Sequence, residues 1–272
     1  MNGFRGSVSE LKEDYTHGSS WYFERIAQIL LDIDKNDLNS FVKSLGSIRP
    51  GMGSIANIED ILARSKFLTK EDVRRMGSKL LDYKKRSEAY LKSEIRKIKI
   101  RKAITISYSS AVKVMIEGSG LEELFLLRSR PGSEYRQAER EYGRFCKVTV
   151  IPDSAMFEFT KSVDAVLIGF DGLYSNGYLL NKVGTTPLCL SAKELGINTY
   201  AIGESYKASD KPFDVTMEKR IVSGGKTLRV SIFDKVPLSL ITELVTDLGA
   251  FRKPSSAIVE KIHGEFLKGI SK

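Results

Sequence analysis

Apolar residues change their spacing near the middle of this chain. Up to about residue 101 they recur at helical intervals. WYFERIAQILLDI sets Tyr22, Ile26, Ile29 and Leu30 on one stripe at i, i+4, i+7 and i+8. Shorter helices are expected over 37–45 and 58–65, separated by the loop GSIRPGMGS. TKED at 69–72 has the form of a capping box, Thr69 facing Asp72, and predicts a long helix running to about residue 98. After residue 103 short apolar runs alternate with helical stretches. AITIS (103–107), ELFLL (123–127), KVTVI (147–151), DAVLIG (164–169), NTYAI (198–202) and LRVSIF (228–233) read as strands. Helices are expected over 109–117, 133–142, 154–160 and 186–195, with a closing helix over 253–270.

Alternation of this kind makes a mostly parallel sheet with helices on both faces. The expected fold class is therefore α/β: an N-terminal helical domain (1–100) followed by a Rossmann-like α/β domain (101–272). The boundary falls within 96–103. No apolar run reaches the roughly 18 residues of a membrane span, and the first residues lack the apolar core of a secretory signal. A cytoplasmic protein is the default.

Composition narrows the chemistry. The chain has 272 residues, two cysteines and two histidines. So few thiols and imidazoles make a metal site improbable, and no cofactor is expected. Cys146 and Cys189 read as small core residues. The formal charge of +9 is concentrated on Lys84, Lys85, Arg86, Lys92, Arg96, Lys97, Lys99, Arg101 and Lys102. This run reads either as a surface for nucleic acid or an acidic partner, or as the solvated face of a long helix. Few aromatic residues interleave with it, which disfavours base stacking and makes nucleic acid the weaker choice.

The densest chemistry lies between residues 163 and 207. A buried strand runs into Asp171. A polar loop then carries Asn176, Gly177, Asn181, Lys182 and Gly184. Open α/β sheets bind ligands beyond the carboxyl ends of their strands. An acid, two amides and an ammonium at such a place suit a small phosphorylated polyol.

The segment GFDGLYSNGYLLNKVGT resembles the G-x-D-x-x-x-x-NG-x-x-x-NK-x-GT signature of one superfamily. It holds the alpha, beta and delta subunits of translation initiation factor 2B, methylthioribose-1-phosphate isomerase and ribose-1,5-bisphosphate isomerase. By that resemblance Asp171 stands at a catalytic acid/base position, and Asn181 and Lys182 hold the substrate. Ser107 stands where the isomerases carry a catalytic cysteine. A hydroxyl is far less acidic than a thiol and needs an adjacent base. S-Y-S at 107–109 is similar instead to the initiation-factor pattern. Arg130 matches an arginine able to contact phosphate bidentately. Glu134 and Tyr135 replace the family's Q-G, and a carboxylate pointing inward there would repel phosphate. Arg49 resembles the family's R-P loop, Lys207 its S-K, and His17 replaces a phosphate-binding arginine.

Each position also has a plainer reading. Asp153 can cap the helix after it, and Asp171 and Asn181 can organise a tight loop. The resemblance implies a non-catalytic regulatory subunit that senses a nucleotide or sugar phosphate, without exchange activity of its own. Its partners would be a second copy in a homodimer or higher oligomer, translation initiation factor 2 or related subunits. An active aldose–ketose isomerase is the alternative.

Overall fold

The computed structural model describes residues 3–14, 17–67, 69–212, 218–223 and 225–271. Five helices come first: α1 (Gly3–Glu13), α2 (Ser19–Asp32), α3 (Lys35–Leu45), α4 (Gly53–Arg64) and α5 (Lys70–Ile95). α1 has no counterpart among the expected helices. Its apolar residues are sparse, and the buried Leu11 is its main anchor. The capping box forms as expected: Thr69 Oγ1 accepts from the Asp72 amide, and Asp72 accepts from the Thr69 amide.

The second region runs β1 (Lys102–Ile106), α6 (Ser110–Ser119), β2 (Glu123–Leu127), α7 (Tyr135–Tyr142), β3 (Lys147–Ile151), α8 (Met156–Thr160) and β4 (Ala165–Gly169). Next come β5 (Gly172–Tyr174), β6 (Tyr178–Lys182), α9 (Thr185–Glu194), β7 (Asn198–Ile202) and β8 (Ala208–Ser209). The chain closes with β9 (Glu218–Ser223), β10 (Lys226–Ser231), β11 (Phe233–Pro237), β12 (Glu243–Thr246), β13 (Gly249–Arg252) and α10 (Ser256–Ser271).

Seven strands form the central sheet in the order β13-β12-β7-β4-β1-β2-β3, parallel except for the β12–β13 pair. This is a Rossmann-like doubly wound sheet. The chain winds outward from β1 to β3, then starts again at β4 on the other side of β1. The switch point therefore lies between β1 and β4, where such folds bind ligands.

Strand periodicity divides the core. Along β1, Ile104 and Ile106 join a cluster with α9 and α10, whereas Ala103 joins a cluster with α5, α6 and α7. Thr105 is buried in a central strand, and its hydroxyl donates to the Leu167 carbonyl at 2.7 Å. A third cluster lies among α2, α3, α4 and the first half of α5, with Phe266 and Ile270 of α10 folded back into it. At about 1.5 Å per residue, the 26 residues of α5 span roughly 39 Å. Its early residues Val73, Leu80 and Tyr83 pack in the helical cluster, and its late residues Leu91 and Ile95 pack under the sheet.

Two strand expectations change. LRVSIF is not a strand of the main sheet. Residues 226–231 pair with β9 in a two-stranded ribbon, and Phe233 begins β11. The alternation was right for a strand but could not say which partner it would find. The polar stretch after Asp171 is not a loop either. β5 and β6 pair antiparallel around Gly177, in a four-stranded sheet with β8 and β11. Asn181 and Lys182 are thus strand residues.

The basic run is threaded with acids. Lys92 pairs with Glu117 at 2.8 Å, Lys97 with Glu94 at 2.6 Å, and Arg101 with Glu122 at 2.9 Å. Such exposed pairs stabilise little, but they cut the field that a polyanion would feel. No helix among the described residues is long and apolar enough to cross a membrane.

Two glycines test this packing with opposite signs. A Cβ on Gly53 would lie 2.1 Å from the Lys207 carbonyl oxygen, whereas one on Gly264 meets nothing within 4 Å. Gly53→Ala should cost about 1–3 kcal/mol or more through overpacking. Gly264→Ala, within α10, should gain roughly 0.5–1 kcal/mol. Urea denaturation of both variants checks this, and equal effects would contradict the close approach of α4 to Lys207.

Candidate functional site

Ser107 follows β1 and Asp171 follows β4, so the two strands flanking the switch point place both at one edge of the sheet. The helical region covers that edge from above. Between them is a cleft of two adjoining lobes that share His17, Gly18, Tyr108, Asp171 and Asn181. The outer lobe, about 260 Å³, adds Trp21, Glu24, Lys84, Glu88, Phe170 and Lys207 among its walls. The inner lobe, about 70 Å³, adds Arg49, Ser107, Glu134 and Lys182.

Asp171 joins the two regions. Its Oδ1 accepts from the Ser19 amide at 3.0 Å, and its carbonyl accepts from the Ser19 hydroxyl and the Gly53 amide. These partners are far away in sequence, so the local-loop reading does not describe its contacts. Burial pushes the Asp171 carboxyl above its ordinary range, against the pull of Lys207, the Ser19 amide, Lys182 and Arg49. Asn181 does act locally: its amide donates to the Thr185 hydroxyl at 3.0 Å.

The cations are all engaged. Lys182 donates to the Pro131 carbonyl at 2.9 Å and to Glu134 at 3.0 Å. Lys207 lies 2.7 Å from Glu204, both almost fully buried, with the Phe170 ring 5.7 Å from the ammonium. Burial alone would raise Glu204. The charge and hydrogen bond of Lys207, with Lys84 further off, instead hold it below the usual carboxylate range. Lys84 pairs with Glu24 at 3.1 Å and also with Glu88. Arg49 is buried and donates its Nε to the Tyr22 hydroxyl at 2.9 Å.

Arg130 departs from its expectation. Its side chain is exposed and lines neither lobe. Its backbone amide is bound by Asp153, which also accepts from the Ser129 amide. Asp153 therefore pins the loop after β2 through these two amides. Ser107 and Ser129 both take left-handed backbone conformations, with φ of 63° and 58°, and the Ser129 hydroxyl accepts from the Ser107 amide at 2.7 Å. Such conformations cost roughly 1–3 kcal/mol each and collect at binding loops.

Several residues in the cleft or just beneath it were not anticipated. Trp21 reads in sequence as one apolar residue in a helix, yet it stacks on His17 with centroids 4.4 Å apart. Glu204 precedes a short buried turn whose depth no local pattern reveals. Glu24 and Glu88 sit on polar helix faces. No cluster of three or more side chains able to hold a metal occurs among the described residues.

Comparison with known proteins fits this geometry. Residues 13–253 match the family described as the Initiation factor 2 subunit family. A Pyrococcus horikoshii protein named putative translation initiation factor eIF-2B subunit 2-like is 27% identical over 270 residues, covering 91% of this chain and 95% of its own length. Ribose 1,5-bisphosphate isomerase of Archaeoglobus fulgidus is 33% identical over 165 residues, covering 55% of this chain and 52% of its own. The solved structure of the P. horikoshii translation initiation factor eIF-2B superposes with a TM-score of 0.84 at 22% identity, covering 92% of this chain and 97% of that one. The tetrameric eIF2B-beta2-delta2 complex from C. thermophilum gives a TM-score of 0.69 at 15% identity, covering 97% of this chain and 94% of that one.

The Glu204–Lys207 pair offers a direct test. Lys207→Met strands a buried carboxylate and should cost about 3–5 kcal/mol, whereas Lys207→Met with Glu204→Gln should recover much of that. Equilibrium unfolding of the two variants decides. Equal losses would mean that the lysine stem, and not its charge, matters.

Proposed function

The chain belongs to the Initiation factor 2 subunit family, and we infer that it is a translation initiation factor 2B-like subunit that binds a small hydroxylated ligand without transforming it. One observation carries this reading. The side chains that the neighbouring strand end brings to the cleft beside Asp171 are hydroxyls, Ser107 and Tyr108. Moving a proton between two carbons of a sugar needs groups that exchange protons near neutrality. Burial raises the Tyr108 phenol further from that range. Neither cysteine lines the cleft, and burial pushes their thiols up to about 11 at Cys146 and about 12 at Cys189.

The span of the sequence similarity supports the same reading, although the fold is shared with an isomerase as well. In sequence the likeness to the initiation-factor-like relative covers more than nine-tenths of both chains, and that to the ribose 1,5-bisphosphate isomerase about half of each. The related beta and delta subunits form a tetrameric complex. We extend this to assembly of the present chain with a second copy or with related subunits.

His17 favours the alternative, an isomerase. It lines both lobes beside Asp171, and its Nδ1 lies 2.7 Å from Asp14. An imidazole held by a carboxylate is a competent base. The test incubates purified protein with ribose 1,5-bisphosphate and with methylthioribose 1-phosphate. The expected outcome is no ketose above the blank, together with a light-scattering mass of at least two chains. Turnover that Asp171→Asn abolishes would establish the isomerase instead.

A further inference from the structure

The cleft holds three lysines, and each already has a carboxylate of the chain on its ammonium. Lys182 has Glu134 at 3.0 Å, Lys207 has Glu204 at 2.7 Å, and Lys84 has Glu24 at 3.1 Å. Glu88 and Asp171 add two further carboxylates to the walls. With Arg49, the four cations face five acids. The acid beside Lys182 is the telling one. Glu134 Oε1 takes the Lys182 ammonium, while its Oε2 is buried without a hydrogen-bond partner. An anion entering here would displace Glu134 from its lysine or lie against an uncompensated carboxylate. Both are unfavourable where the carboxylate oxygen is itself out of reach of water, as Oε2 is.

The remaining surface of the cleft suits an uncharged ring. His17 and Trp21 form a stacked pair, and Tyr108 and Phe170 add aromatic surface to the same lobe. Aromatic faces hold planar heterocycles by stacking. Asp171, present in both lobes, is a carboxylate of the kind that accepts hydrogen bonds from ribose hydroxyls.

We propose that the cleft is selective for an unphosphorylated nucleoside, with its base against the Trp21 wall and its ribose toward Asp171, and that Glu134 excludes the phosphorylated form. This rests on the reading of the cleft as a binding site. It narrows the phosphorylated ligand class that the sequence resemblance implies, because that class needs a cation which the fold has neutralised.

Trp21 is the one tryptophan in the chain, so its emission reports occupancy of the outer lobe. Titrations of the intact protein with adenosine, uridine, their 5′-monophosphates and ribose 5-phosphate test the proposal. The expected result is a saturable change in emission with at least one nucleoside, at least tenfold tighter than its monophosphate. Glu134→Gln should tighten monophosphate binding at least tenfold relative to its effect on the nucleoside. A wild-type preference for the monophosphate or ribose 5-phosphate would overturn the proposal, as would no response to either nucleoside at millimolar concentration. If Glu134→Gln fails to fold, the comparison in the wild type still decides. None of these outcomes bears on the subunit reading, which ketose production tests separately.

Discussion

Residues 204–208 are buried where the helical region meets the carboxyl edge of the sheet, and their polar side chains find partners there, the Tyr206 hydroxyl excepted. Glu204 takes Lys207 and the Ser20 hydroxyl. Ser205 donates its amide and hydroxyl to Asp247 beyond β12, and its hydroxyl also meets Tyr83 of α5. Asn57 of α4 donates to the carbonyls of Tyr206 and Ala208. One short segment thus ties three helices to two strands. A polar group left unpaired at such depth would cost about 1–3 kcal/mol, so the partners fix the angle at which helices and sheet meet. The cleft is the space that this angle leaves.

In the cleft, Lys182 and Lys207 stand at positions that resemble the family's, Lys84 belongs to the basic run of α5, and acids meet all three. Lys207 is consumed by Glu204 as part of the joint itself. Lys84 bridges Glu24 of α2 and Glu88 of its own helix, fastening α5 to α2. Lys182 is consumed by Glu134. The charges that would seat an anionic substrate have become internal ion pairs, while Asp171 is stationed by the Ser19 amide across the same joint. Asp171 and Glu204 reach across the joint to Ser19 and Ser20, whereas each of the three lysine pairs forms within one region.

Much of the fold was legible from local pattern. The long helix was readable from Thr69 and Asp72 because a capping box is complete within four residues. The parallel strands around Ile104, Leu124 and Val166 were readable because both faces of such strands are buried, which makes their residues almost uniformly apolar. α1 escaped because its apolar residues are few, with Val8 and Leu11 packing into the helical cluster among its described side chains. The β5–β6 hairpin escaped because its polar ends, Asn181 and Lys182, belong to the cleft and broke the alternation that marks a strand.

The sequence by itself determined the class of sheet, the placement of Asp171 and Ser107 at strand ends, and the absence of a thiol at the second of these. Those properties depend on periodicity over a few residues and on side-chain identity. Only the tertiary structure decided which charges cancel. Glu134 meets Lys182 at a sequence separation of 48, Glu24 meets Lys84 between two helices, and Arg130 turns outward although it matches an arginine of the family. Pairing of charges depends on distance and burial in space, and neither is encoded in the spacing of residues along the chain.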